Sequence, residues 1–225
     1  MINNLSIVLI CSLPVKGMKS IGNIGLLNIK NKTIIEWHIL NLKQQFKKAD
    51  IVVVGGFEHK KIEKTIRKYR DIKFLYHDVN QISNEGQSLI YALSNIPSSH
   101  SVLVYNINCI FTRNIWKDID FSRSFTIINE HKKYSSQLGA TITNNYVENI
   151  FYNLEHKMGN IYFIEKNDIN LLKENIKPKY DSMYLFEILN ILIKINPIVP
   201  QYIKTSEHIN INNMKDYYKI KGIFK

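Results

Sequence analysis

Three short runs carry the residues best suited to hold a ligand. The first is Asn106-Ile107-Asn108, which follows the apolar run Ser101 to Tyr105 within SVLVYNINCIF. That run is short, β-branched and nearly all apolar, the pattern of a parallel strand covered on both faces. In open α/β sheets ligands bind just beyond the carboxyl ends of such strands, which puts Asn106 and Asn108 where a ligand would sit. Two asparagines after a strand also serve a tight turn, because Asn bonds its own backbone and tolerates left-handed geometry. The second run is the loop Ser12 to Gly25, which follows another apolar run and contains Lys16, Gly17, Lys19 and Gly22. A strand followed by a glycine-containing loop is a place to cradle phosphate. The third, Asn84-Glu85-Gly86-Gln87-Ser88, opens a helix.

Other chemistries find less support. Cys11 and Cys109 have no spacing for a zinc site or a disulfide framework, which points to a reducing compartment. The seven histidines show neither metal spacing nor a partnered nucleophile, although His208 closely precedes Asn210. A formal charge of +11 invites a nucleic-acid reading, but the charge is spread out. Its densest part, His59 to Arg70, keeps Ile62, Ile66 and Tyr69 at helical spacing, so its bases form a solvated helix face and nucleic acid is not the expected partner. No run approaches the ~18 apolar residues of a membrane span. Met1 to Asn4 is polar and the apolar run after it is too short for a secretory signal, so the expectation is a cytoplasmic protein.

The elements that must position these runs follow a rhythm. Leu5 to Cys11, Ile51 to Val54, Ile72 to Tyr76 and Ser101 to Tyr105 read as strands. Between them lie helical patterns at Thr33 to Lys48, opened by a Thr33/Glu36 capping box, at the basic segment, and at Leu89 to Ile96. Strand alternating with helix is the βαβ pattern of a parallel sheet with right-handed crossovers. After Asp120 the pattern changes to strands at 125–128, 138–143, 146–152 and 159–164, with Asn144-Asn145 suited to a hairpin turn. Helices at 168–175 and 183–195 follow, then short extended pieces at 198–203 and 208–211, and a last helix capped by Asn212 or Asn213. The expected fold is α/β, Rossmann-like, with a mixed, mostly parallel central sheet flanked by helices. The expected organisation is one domain over 1–225, with a doubly wound nucleotide-binding half at 1–120 and an acceptor-side half at 121–225.

Taken together these landmarks resemble the nucleotidyltransferase family with a GT-A-like fold, which includes sugar-phosphate and choline-phosphate nucleotidylyltransferases. Gly25 to Trp37, GLLNIKNKTIIEW, looks like the family's PLLpVnGkPlIEw segment, and SVLVYNINCIF looks like its vLvlnGDvlF strand end. Gly159-Asn160-Ile161-Tyr162 and Asn210 to Tyr217 resemble its G-i-Y strand and its closing DINTpeDy. The resemblance implies a nucleoside triphosphate and a phosphorylated small molecule as partners, with Mg²⁺ as the cofactor. It implies phosphate contacts from Lys16 and Lys19 as catalytic residues, nucleotide contacts from Ser12, Gly17, Gly86, Gln87, Ser88 and Asn106, and metal positions at Asn108 and Asn210.

The departures fall on the chemistry. Where the family's first loop reads AAGxGxR, this chain reads CSLPVKG: Pro14 has no amide donor and the arginine is absent. The family's lysine before PLL is Ile24, and both metal aspartates are asparagines, at 108 and 210. Magnesium prefers hard, charged oxygens, and Asn offers a neutral carbonyl. Three readings follow: a nucleotidyltransferase whose missing groups are replaced by Asp78, Glu85, Lys16 or Lys19; a catalytically degenerate subunit that meets protein partners in a larger assembly; and a GT-A glycosyltransferase, of whose metal motif Asn106-Ile107-Asn108 is a neutral version.

Overall fold

The computed structural model describes residues 4–15, 17–78, 84–129, 137–176 and 183–224. In chain order the first half gives β1 (Leu5–Cys11), the small pair β2 (Asn28–Ile29) and β3 (Lys32–Thr33), α1 (Ile34–Gln45), β4 (Asp50–Gly55), α2 (His59–Ile66), β5 (Ile72–Tyr76), α3 (Glu85–Ser94) and β6 (Ser101–Asn106). Then come β7 (Cys109–Phe111), β8 (Phe125–Asn129), β9 (Leu138–Thr143), β10 (Tyr146–Tyr152), β11 (His156–Ile164), α4 (Lys166–Asn175), α5 (Leu185–Ile195), β12 (Val199–Ile203), β13 (His208–Asn210) and α6 (Met214–Ile223).

The main sheet runs β10-β9-β11-β6-β1-β4-β5, with β8 on β11 and β12 on β8. Its four strands β5, β4, β1 and β6 are parallel, as the βαβ rhythm requires. Each residue of β1 is buried, and alternate side chains enter opposite layers. Ile7, Leu9 and Cys11 join the layer with Ile35, Ile39 and Ile62, from α1 and α2; Val8 and Ile10 join the layer with Leu89, Leu189 and Leu192, from α3 and α5. The α2 face behaves as its spacing predicts: Ile62 and Ile66 are buried, while Lys60, Lys61, Lys64, Arg67 and Lys68 are exposed.

β11 turns the sheet mixed. It runs antiparallel to β6, with Ile161 opposite Tyr105, so its amino-terminal residues extend past the carboxyl end of β6. A left-handed Asn160 and a register shift between Met158 and Tyr162 mark a bulge at that overhang. Asn144 and Asn145 both take positive φ, and Thr143 pairs with Tyr146, the two-residue hairpin that the sequence predicts.

SVLVYNINCIF divides differently from the sequence reading. β6 extends to Asn106, Ile107-Asn108 form the turn, and Cys109 begins a separate strand, β7, which pairs antiparallel with β13. Cys109 therefore opens a strand of its own. Helix α3 starts at Glu85, four residues before the apolar run that signals it, because Asn84 and Gln87 form a capping box. Among the described residues, no helix is long and apolar enough to cross a membrane.

Candidate functional site

The carboxyl ends of β1, β4, β5 and β6 open on one end of the sheet, and the overhang of β11 and the β7–β13 pair close one side of it. The first loop leaves β1 here. Its anchor is a residue that pattern reading passes over: Asn23, fully buried. The Asn23 side-chain amide donates to the Cys11 carbonyl at 2.8 Å and to the Phe57 carbonyl at 3.0 Å. Its oxygen accepts from the Gly25 amide at 2.9 Å and from the Cys11 thiol at 3.1 Å. The Asn23 backbone N–H donates to Glu58, which Lys61 also holds. The loop is thus tied down at its far end, while Gly17, with φ of 78°, stays exposed with open space about its α-carbon. Lys19 is exposed on the short turn Lys19–Ile21; Lys16 lies outside the described residues.

Ser12 and Ser88 meet. Their hydroxyl oxygens are 2.7 Å apart with both residues fully buried, and Ser88 Oγ lies 3.1 Å from His77 Nδ1. This chain joins the end of β1, the start of α3 and the exit of β5. The side chain of Gln87 accepts from the Asn84 amide as part of the helix cap. At Gly86 a β-carbon would come 2.1 Å from the Met183 carbonyl oxygen, so the close approach of the backbone before α5 requires glycine there. The run expected to contact a nucleotide is thus also the joint between α3 and α5.

The strand-end turn is held from two sides. His38 Nε2 lies 3.1 Å from the Ile107 carbonyl, which can only accept, so the proton is on Nε2. Burial pushes the His38 imidazole down to about 3, against that hydrogen bond, and the ring stays neutral. On the other side the Asn106 amide donates to Glu85 Oε1 at 2.7 Å. Burial pushes the Glu85 carboxyl above its usual range, and the Asn106 hydrogen bond opposes this. Glu85 is the acidic group the turn faces across the cleft.

Asn108 and Asn210 come together. Asn210 is opposite Cys109 in the β7–β13 ladder, and the Ile211 amide donates to the Asn108 carbonyl at 2.8 Å. Asn108 is 9% exposed, and the side-chain oxygens of both asparagines are buried without a hydrogen-bond partner. Unpartnered buried carbonyls cost about 1–3 kcal/mol each, which a bound donor or cation would relieve.

Behind them lies Cys109-His208-Asn129. Cys109 Sγ is 3.3 Å from the Gly159 carbonyl and 2.8 Å from His208 Nε2, and His208 Nδ1 is 3.0 Å from the Asn129 amide nitrogen. With the thiol proton on the Gly159 carbonyl, Nε2–H donates to sulfur and Nδ1 accepts from Asn129. Burial raises the thiol well above its usual value and lowers His208 to about 3, with Lys157 adding to the lowering, so neither group is ionised. This is a lock that fixes β7 to β13, not a nucleophile. The Asn210 side chain sits close enough to His208 to oppose that lowering, yet its Oδ1 has no partner of acceptable geometry.

Lys157 is a second residue that pattern reading misses. It is half-buried on the β11 overhang, opposite Asn129, and burial lowers its ammonium pKa while Asp216 acts to raise it.

Mg²⁺ does not fit this donor set. The two unpartnered asparagine oxygens are neutral; the Glu85 carboxylate receives Asn106, and Asp216 receives the Asn212 amide and acts on Lys157. A unit charge pair at 4 Å is worth about 4 kcal/mol at an effective dielectric of ~20, so losing both carboxylates removes several kcal/mol of metal binding. Among the described residues no three His, Cys, Asp or Glu side chains cluster as a metal site.

The fold is the mixed α/β architecture found in solved nucleotidyltransferases. The chain is similar to CTP:phosphocholine cytidylyltransferase from Streptococcus pneumoniae, with a TM-score of 0.80 and 15% identity over 99% of this chain and 100% of that one. It is also similar to the inositol-1-phosphate CTP transferase from T. maritima, with a TM-score of 0.74 and 9% identity over 98% and 96% of the two chains. HddC from Yersinia pseudotuberculosis, complexed with GMP-PN, gives a TM-score of 0.71 and 20% identity over 98% and 99%. No protein-family model and no curated protein matches the chain. At these identities the likeness is one of fold, a mixed α/β nucleotidyltransferase fold spanning nearly the whole chain.

Proposed function

We propose that this chain binds a nucleoside triphosphate in the cleft beyond β1 and β6 and transfers its nucleotidyl group, slowly, to a phosphorylated sugar or alcohol. An acceptor phosphate oxygen attacks the α-phosphorus, the bond to the bridging oxygen breaks, and pyrophosphate leaves with that electron pair. Residues 1–120 form the nucleotide half and 121–225 the acceptor half. Gly17 and Lys19 lie against the phosphates, Ser12, Gly86, Gln87 and Ser88 on the base side, and Asn106 at the floor with Glu85.

The observation that carries this reading is the pair of unpartnered buried oxygens of Asn108 and Asn210. They lie at the tip of the β7–β13 pair, at the end of the sheet where α/β folds take ligands, and a hydroxyl donor on a bound ligand would satisfy them. Transfer is slow because electrostatic stabilisation is the largest catalytic term, and here two charges are missing.

A second reading is a degenerate subunit of a larger assembly. The neutral metal positions and Pro14 in the phosphate loop favour it. The test is pyrophosphate release on mixing the protein with each nucleoside triphosphate and a panel of phosphorylated sugars and alcohols. Release that needs both substrates supports transfer; no release with any pair supports the subunit reading.

A further inference from the structure

We propose that a hollow at the amino-terminal end of the sheet, opposite the cleft, binds a small molecule with a flat apolar body and one anionic group. Phe46, Trp116 and Phe121 hold the body, and Lys47, Lys48 and Lys117 meet the charge.

The place follows from the sheet. Leu5, the first residue of β1, and Ala49, just before β4, line the hollow, so it opens at the amino-terminal ends of the parallel strands. The cleft lies beyond their carboxyl ends, the length of β1 away, which is ~20 Å. The hollow holds about 630 Å³, within the ~300–1,000 Å³ of small-molecule sites.

Its floor is aromatic. The Phe46 and Trp116 rings stand edge to face with centroids 5.3 Å apart, and Phe121 lies 5.9 Å from Phe46 and 6.2 Å from Trp116. All three are partly exposed. Phe121 is backed by Phe125 at 5.3 Å and Phe163 at 5.2 Å, both buried in the core, so the floor is anchored from below. Such rings leave apolar area in water that a flat body would cover.

Its rim is cationic. Lys47, Lys48 and Lys117 line the hollow, all three are exposed, and none makes an ion pair or hydrogen bond among the described residues. Lys43, Lys61 and Lys68, by contrast, each have a carboxylate partner. The acid among the lining residues is Asp120, and its two oxygens accept from the Ser122 amide at 2.9 Å and the Ser122 hydroxyl at 2.8 Å. Three unpaired ammoniums against one occupied carboxylate favour an anion. Lysine stems lie along apolar surface and bring the charge to its edge. A second copy of this chain fits worse, because a two-fold contact sets a patch against itself and three lysines would face three lysines.

The test is titration calorimetry of naphthalene-2-sulfonate, and of the neutral naphthalene-2-sulfonamide, into the purified chain. We expect the sulfonate to bind one to one with a Kd below about 1 mM, and the sulfonamide about tenfold more weakly. Lys47→Gln with Lys48→Gln and Lys117→Gln should weaken the sulfonate about tenfold and leave the sulfonamide unchanged. Trp116→Ala should weaken both compounds. No binding of the sulfonate at millimolar concentration, equal affinity for the two compounds, or an unchanged affinity in the triple lysine variant would overturn the proposal. A dimer of the unmodified chain in sedimentation, tightened by the triple lysine change, would give the hollow to a second copy and overturn it as well. Should Trp116→Ala fail to give a cooperative melt, the lysine variant, changed only at exposed side chains, decides alone.

Discussion

The Asn106 side chain donates to the Glu85 carboxylate at 2.7 Å across the mouth of the cleft, joining the end of β6 to the first turn of α3. Burial holds that carboxyl above its usual range, so its ionised form costs stability at neutral pH.

Stability measurements on two variants separate the charge from the contact. Glu85→Gln keeps an acceptor for Asn106 and removes the buried charge, so urea unfolding at pH 7 should show it within about 1 kcal/mol of the parent, or more stable. Glu85→Ala leaves the Asn106 amide unpartnered and should cost about 1–3 kcal/mol. A large loss from both would mean that the charge itself holds the fold.

The Ser12–Ser88–His77 chain should behave as one unit. Ser88→Ala strands the Ser12 hydroxyl and His77 Nδ1 and should cost roughly 1–3 kcal/mol. Adding Ser12→Ala should cost less than the sum of the single changes, because neither partner is then left unpaired. Additive losses in a double-mutant cycle would show the two hydroxyls to be independent.

Gly86→Ala should be among the most damaging small substitutions in the chain. The new methyl would meet the Met183 backbone oxygen at 2.1 Å, and a backbone atom between two helices cannot step aside as a side-chain tip can. We expect a loss of roughly 2–4 kcal/mol in denaturant unfolding. A neutral result would mean that α3 and α5 are not packed in this way.

Acid should unfold the protein before its carboxylates titrate. His38 and His208 are both held down to about 3 by burial, whereas in the unfolded chain they take up protons near 6.5. Between those values the unfolded state binds more protons, so stability is full above about 6.5 and falls as pH drops toward 3. Each histidine contributes on the order of 1 kcal/mol per pH unit in that window. Unfolding curves from pH 7 to pH 5 should show this slope, and His38→Gln should flatten it; a flat profile in the parent would mean that the imidazoles are accessible.

Much of the frame is legible locally. The nearly all-apolar β1 and β6, the Thr33/Glu36 cap and the Asn144-Asn145 turn are set by neighbours in sequence, and each is found where its residues predict, β6 with one residue more at its end. The cap of α6 also falls on one of the two expected residues, Asn213. The site is legible only in part. Asn108 and Asn210 stand out because they interrupt a resemblance, but their meeting depends on the β7–β13 pairing, which no periodicity announces. Asn23 and Lys157 are single polar residues with ordinary surroundings in sequence; their parts come from Phe57 and Glu58 for the one and Asn129 for the other.

The central claim is that a nucleotide occupies the end of the sheet framed by the first loop, the start of α3 and the two asparagines. Hydrogen–deuterium exchange with and without millimolar nucleoside triphosphates tests it most directly. The account predicts slower exchange at Ser12 to Gly25, Asn84 to Ser88, Asn106 to Asn108 and His208 to Asp216, with the far ends of β1 and β6 unchanged. Protection confined to other surfaces, or none with any nucleotide, would contradict it.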